Sequence, residues 1–352
     1  MASLVSNLQP VLPNSITKQP SSRFLHIQAR VVVPSRSQNP RRPLRMAQSC
    51  STHAGKDHPV IQQQRIIIQN NYGEKLVGVL HETGSTEFVI LCHGFRSTKE
   101  HNTMVNLAAA LEKAGISSFR FDFAGNGESE GLFQYGNYQR EADDLHAVVS
   151  HFCGEKRVIS AILGHSKGGN VVLLYASRYN DVDTVVNVSG RFNLERGIAD
   201  RLGEDFIQRI KKDGYINVQS KRGTNEYSVT EESLMDRLTT DMRAACLSIM
   251  KDCRVLTVHG SVDEIIPVED ALEFAKLIPN HKLHIVEGAD HRYTSHQIEL
   301  ASIVLDFIRA GSQQDKDMPN QFDGLSVSYK GFACLVEYHH HLGMYVSVAA
   351  VS

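Results

Sequence analysis

Short apolar runs alternate with stretches of helical spacing along most of this chain, starting near Gln64. Residues 65–69 and 76–81 read as two strands joined by the turn-rich Asn70-Asn71-Tyr72-Gly73, so a hairpin opens the regular region. Residues 88–92 are wholly apolar, the pattern of a strand buried on both faces, and the run stops at His93-Gly94-Phe95. A helix over 104–113, a strand over 117–122, a glycine-rich loop and a helix over 138–152 follow. Then come strand 158–163, helix 170–176, strand 184–189, strand 254–259, helix 268–277, strand 282–287 and helix 295–309. Such alternation predicts an α/β fold whose mostly parallel central sheet is flanked by helices on both faces.

One interval breaks this rhythm. Between the strands ending near Ser189 and beginning near Cys253, Leu194, Ile198, Leu202, Phe206 and Ile210 recur every four residues and predict one helix with a single apolar face. A hairpin is expected around Lys221-Arg222-Gly223, and a second helix over 230–249. Residues 191–250 therefore read as a helical and hairpin cap inserted over the cleft of a domain spanning 57–310.

The ends differ from this body. Residues 1–56 hold eight Lys or Arg and no Asp or Glu, and six of the ten prolines. That composition fits a transit peptide, with a disordered terminus as the alternative, and it lacks the apolar core of roughly 7 to 15 residues that a secretory signal needs. Richness in serine and proline favours a chloroplast destination; Met46 offers an internal start and a cytoplasmic form. Beyond 310 the chain reads as a polar linker and an irregular tail to Ser352, in which His339, His340 and His341 diverge too much to share one metal.

Charge and cysteine usage narrow the function. The whole chain carries −2, so removing the basic first 56 residues leaves 29 − 39 = −10 for the rest. A nucleic-acid surface needs a clustered basic face, which this body lacks. No stretch reaches the ~18 to 20 apolar residues of a membrane span. Cys50, Cys92, Cys153, Cys246, Cys253 and Cys334 form no C-x-x-C pair, which suggests neither a zinc site nor a disulfide framework. No cofactor, metal or nucleic-acid partner is expected.

The candidate chemistry centres on Gly164-His165-Ser166-Lys167-Gly168, a serine flanked by glycines between an apolar run and a helical one. A second match, Gly127-Glu128-Ser129-Glu130-Gly131, has neither neighbour and is set aside. Ser166 needs a base, and that base needs an acid to fix its tautomer. In a parallel sheet, functional loops leave the carboxyl ends of strands, which selects Asp263 and His291 among their rivals His259, His165, Asp290 and Glu264. Backbone amides of Phe95 and Lys167 are placed to meet a developing oxyanion, with His93 and Gly94 shaping the first of those turns.

These motifs, with Asp122-Phe123-Ala124-Gly125-Asn126-Gly127-Glu128-Ser129 and Gly288-Ala289-Asp290-His291, occur together and in order. Over about residues 64–310 the chain resembles the α/β-hydrolase superfamily, and within it capped serine esterases and lipases of the cinnamoyl or feruloyl esterase-like and acylglycerol lipase-like kinds. The resemblance implies hydrolysis of a small-molecule carboxylic ester or thioester through an acyl-enzyme on Ser166. Lys167 departs from the glutamine usual in cinnamoyl esterases and leaves the acyl group open. A ligand receptor with little turnover and an acyltransferase are the alternative readings.

Overall fold

The computed structural model describes residues 62–220 and 222–317. The readings on the transit segment, Met46, Cys50, Cys334 and the histidine run lie outside these residues. In chain order the elements are β1 (Gln62–Gln69), β2 (Lys75–Glu82), β3 (Glu87–Cys92), α1 (Asn102–Lys113), β4 (Ser117–Phe121), α2 (Tyr138–Gly154), β5 (Val158–His165) and α3 (Lys167–Tyr179). They continue with β6 (Thr184–Val188), α4 (Ile198–Leu202), α5 (Phe206–Asp213), β7 (Tyr215–Gln219), β8 (Asn225–Thr230), α6 (Glu231–Thr239) and α7 (Met242–Ser248). β9 (Arg254–Gly260), α8 (Glu269–Leu277), β10 (His281–Val286) and α9 (Gln297–Asp317) complete the described chain.

Eight strands form one sheet in the order β1-β2-β4-β3-β5-β6-β9-β10. β1 and β2 pair antiparallel, as do β2 and β4, and every later neighbour is parallel. The period of two in a strand sends alternate side chains to opposite faces. Thus Phe88, Ile90 and Cys92 of β3 enter a core shared with α2, α3 and α7. Val89 and Leu91 enter the other core, against α1 and α9. This double burial is why β3 reads as unbroken apolar sequence.

Residues 189–253 separate β6 from β9. Their β7–β8 hairpin is not part of the main sheet. A third core, holding Ile198, Leu202, Ile210, Ile216, Val229 and Leu234 with Tyr135, supports this insertion.

Three expectations need correction. The single helix through Leu194 to Ile210 is two, α4 and α5, because Gly203 takes φ +93° and breaks the helical path. The second helix is also two: Thr240 is extended, and Asp241 starts α7 by accepting from the amides of Arg243 and Ala244. Finally, the polar linker expected from Gly311 is helical to Asp317. One glycine costs a helix only about 1 kcal/mol relative to alanine, and polarity alone does not end a hydrogen-bond ladder already established.

Candidate active site

Ser166 occupies the junction of β5 and α3 with φ 57° and ψ −122°. A non-glycine residue held there stores roughly 1–3 kcal/mol of strain, which only rigid surroundings can sustain. Those surroundings are crowded backbone. A Cβ on Gly164 would lie 2.0 Å from the Gly168 carbonyl oxygen, and one on Gly168 would lie 2.4 Å from that of Cys92. The two glycines are therefore required by close approach. The Ser166 amide donates to Val188 O at 2.8 Å, which fastens the corner to β6.

Two loops bring the partners. Asp263 follows β9, and His291 follows β10. His291 Nε2 lies 3.0 Å from Ser166 Oγ, and its Nδ1 lies 2.7 Å from Asp263 Oδ2. An ionised carboxylate only accepts, so Nδ1 carries the proton and Nε2 is left to accept from the serine hydroxyl. Asp263 Oδ1 also accepts from the amides of Ile265 and Ile266 at 2.9 and 2.8 Å. Burial pushes the Asp263 carboxyl up, but the hydrogen bond from His291, its charge and these amides outweigh burial and hold it below the usual carboxylate range.

The rivals occupy other roles. Asp290 bonds the amide and hydroxyl of Thr294, and Glu264 accepts from the His291 amide at 3.2 Å. His259 donates to Ile266 O at 2.9 Å, with Asp263 Oδ2 3.4 Å away. His165 donates from Nε2 to His291 O at 2.8 Å, and its ring lies between those of His101 and His291. Burial lowers His165 to about 3, so it supports the His291 loop as a neutral imidazole. Ser129 donates to Asp122 O and accepts from Val77 N, tying its loop to β2.

Beside Ser166 lies the turn after β3. Gly94 approaches so closely that a Cβ there would be 2.9 Å from Ser166 Cβ. His93 donates from Nδ1 to Gly94 O and accepts at Nε2 from the Phe123 amide, joining this turn to the glycine-rich loop; burial lowers it to about 4. Among the described residues, the amides of Phe95 and Lys167 donate to no protein group. The Lys167 side chain turns to a buried ion pair with Glu141, Nζ to Oε1 2.6 Å, and lies 4.9 Å over the Tyr138 ring. Burial holds the Glu141 carboxyl up at about 7 despite that ammonium.

These groups open into a cavity of about 480 Å³ lined by Phe95, Ser166, Lys167 and His291, and also by Tyr135 and Tyr138. Five arginines, Arg191, Arg196, Arg201, Arg237 and Arg292, share its wall with two carboxylates, Glu264 and Asp290. A wider depression of about 750 Å³ near Phe192 and Met242 contains no part of the Ser166 arrangement. Sequence reading missed the tyrosines and arginines. Of these Arg191, just past the carboxyl end of β6, and Arg292, next to His291 in the loop after β10, stand where the parallel-sheet rule could have marked them. Among the described residues no cluster of His, Cys, Asp or Glu could hold a metal, and no helix is long and apolar enough to cross a membrane.

Comparison with known proteins follows the same lines. A family profile described as serine aminopeptidase, S33, matches residues 84–245, just under half the chain. The Danio rerio protein named lysophosphatidylserine lipase ABHD12 is 23% identical over 243 residues, covering 63% of this chain and 58% of that protein. The chain spans between 58% and 69% of the length of the curated relatives it matches. Among solved structures, Est1E from Butyrivibrio proteoclasticus with bound ferulic acid superposes with a TM-score of 0.58 at 23% identity, over 70% of this chain and 99% of that one. The Pyrococcus furiosus esterase Pf2001 gives 0.54 at 22% identity, over 71% and 90%. These matches support a hydrolase, and by fold the chain is an α/β-hydrolase.

Proposed function

We propose that the protein is a serine hydrolase that cleaves a carboxylic ester or thioester through an acyl-enzyme. The observation that carries this reading is the hydrogen-bonded chain from Ser166 Oγ through His291 to Asp263, open to a cavity at one end and buried at the other. Ser166 attacks the acyl carbon as His291 Nε2 takes the hydroxyl proton. The amides of Phe95 and Lys167, free of protein acceptors, donate to the tetrahedral oxyanion. Asp263 stabilises the imidazolium, which then passes its proton to the departing alcohol or thiol. Water, deprotonated by His291, releases the acid and restores Ser166. Residues 191–250 act as a cap, contributing Arg201 and Arg237 to the far side of the cavity.

The matched family's description raises a peptide amide as substrate. A cavity wall with more guanidinium than carboxylate groups disfavours the cationic amino end an aminopeptidase must bind. The test uses the purified full chain with nitrophenyl esters of several acyl lengths and an aminoacyl nitroanilide. Ester turnover, an acyl adduct on Ser166 seen by mass spectrometry, and loss of both in Ser166→Ala are expected. Turnover of the anilide alone would replace the esterase reading. Absence of any turnover, with a ligand-dependent rise in melting temperature, would favour a receptor.

A further inference from the structure

The guanidinium groups of the cavity are not explained by attack, proton transfer or oxyanion binding. Lys167 is neutralised by Glu141, and Arg196 by Asp270 at 3.2 Å. Among the described residues, four cavity arginines have no carboxylate within ion-pair distance: Arg292, next to His291 on the sheet side, and Arg191, Arg201 and Arg237. The last three come from separate places: just after β6, in α4 and in α6. Each is fixed by a neutral partner. Arg191 donates to Ile265 O at 2.6 Å, and Arg237 donates from Nε to Leu194 O at 2.8 Å and lies 5.1 Å from the Tyr135 ring centre. Arg201 lies 4.9 Å over the Phe95 ring.

Bringing three unneutralised cations to one concave wall opposes folding, since a low-dielectric cleft strengthens their repulsion. Burial first, and the Arg237 charge second, lower the Arg191 pKa. A second observation is independent of charge. Tyr135 lines the same cavity, is 1% exposed, and its hydroxyl has no hydrogen-bond partner. A buried hydroxyl without a partner destabilises the fold unless a ligand supplies one. Rigid guanidinium forks and a spare hydroxyl donor together suit an oxyanion group.

We infer that the substrate is an ester bearing a second, permanently anionic group, a carboxylate or a phosphate, which Arg191, Arg201 and Arg237 bind with the Tyr135 hydroxyl while Ser166 attacks the ester carbonyl. This assignment rests on the hydrolase reading above. It places recognition at the insertion and leaves the chemistry at the sheet edge.

The experiment compares two matched pairs on the full chain. Nitrophenyl adipate monoester against nitrophenyl hexanoate tests a carboxylate on the acyl side; lysophosphatidate against the corresponding monoacylglycerol tests a phosphate on the alcohol side. A kcat/KM at least tenfold higher for the anionic member of either pair is expected, and the pair that shows it identifies the group. In Arg201→Gln and, separately, Arg191→Gln that ratio falls about tenfold, mainly through KM, while thermal melting shows each variant folded. Equal rates within both pairs, or preference for the neutral members, would overturn the inference and leave the hydrolase reading standing. If none of the four esters turns over, the hydrolase reading falls. The anion site is then judged by the melting temperature of Ser166→Ala with adipate or glycerol 3-phosphate, against hexanediol and glycerol. A rise with an anion that Arg201→Gln removes supports the site, and no rise overturns it.

Discussion

The two walls of the cavity are built by different means. On the sheet side, Ser166, Asp263 and His291 follow the carboxyl ends of β5, β9 and β10, and main-chain contacts fix them: the Val188 carbonyl, the amides of Ile265 and Ile266, and glycines with no room for a Cβ. On the insertion side, Arg201 and Arg237 reach the cavity through their own long side chains, held against the Phe95 and Tyr135 rings and, for Arg237, by the carbonyls of Leu194 and Arg196. On the proposed mechanism, reaction geometry tolerates errors of only a fraction of an ångström and falls to groups fixed on backbone, whereas charge recognition tolerates more and falls to long side chains. The sheet wall should therefore respond to substitution in kcat, and the insertion wall in KM and local stability.

The largest effect tests the sheet wall directly. Asp263→Asn keeps the shape but favours the wrong His291 tautomer, and kcat on a nitrophenyl ester should fall about 10⁴-fold, as should that of Ser166→Ala or more. A drop of less than tenfold in Ser166→Ala would move the nucleophile elsewhere and dissolve the contrast. Next, Gly94→Ala places a methyl 2.9 Å from Ser166 Cβ. A displacement well under 1 Å must follow, and kcat should fall about a hundredfold with KM nearly unchanged in steady-state kinetics.

Acid should expose the buried imidazoles of the sheet region. Burial lowers His93 and His281 to about 4 and His165 to about 3. Their folded values lie below the unfolded value near 6.5, so the fold gains stability from them above that pH and loses it as pH falls from about 6.5 towards 4. Urea unfolding at pH 7, 6 and 5 should show this decline, offset in part by Glu141, whose carboxyl, raised to about 7, takes up a proton on folding in the same window. His281→Gln, which keeps a partner for Thr257 Oγ1 at the sheet edge, should reduce its slope by about one proton. An unchanged slope would mean that His281 is not held neutral. The smallest effect lies in the insertion. Thr230 and Ser233 cap α6 reciprocally, and Thr230→Ala should cost about 1 kcal/mol, read by thermal melting, with Ser166 still labelled by a fluorophosphonate. Lost labelling would show that the two walls are not separable.

The same division decided what could be read from sequence. The Ser166 corner is local: an apolar run, two glycines and a helix start fall within a dozen residues, so composition and spacing expose it. Asp263 and His291 became legible through strand order, because strand ends in a parallel sheet share an edge. The insertion defeated both methods. A four-residue apolar period cannot register that Gly203 has φ +93°, nor that Thr240 is extended before Asp241. The arginine wall is assembled from positions scattered between 191 and 237, a convergence that exists only after folding. Lys167 was legible as a departure, yet its meaning came from Glu141, 26 residues earlier, whose carboxylate takes the ammonium at 2.6 Å.

Phe95 belongs to both walls. Its amide follows the Gly94 turn beside Ser166, while its ring packs edge-on against Phe133, Tyr135 and Tyr227 and beneath the Arg201 guanidinium. One residue thus serves as a hinge pin between selection and turnover. On the proposed mechanism, a ligand that reseats this aromatic cluster would carry the oxyanion donor with it, so poor substrates would be penalised twice, once for fit and once for a misaligned amide. On that reading selectivity is multiplicative, and redesigning the insertion for a new substrate would require preserving the seat of that single ring.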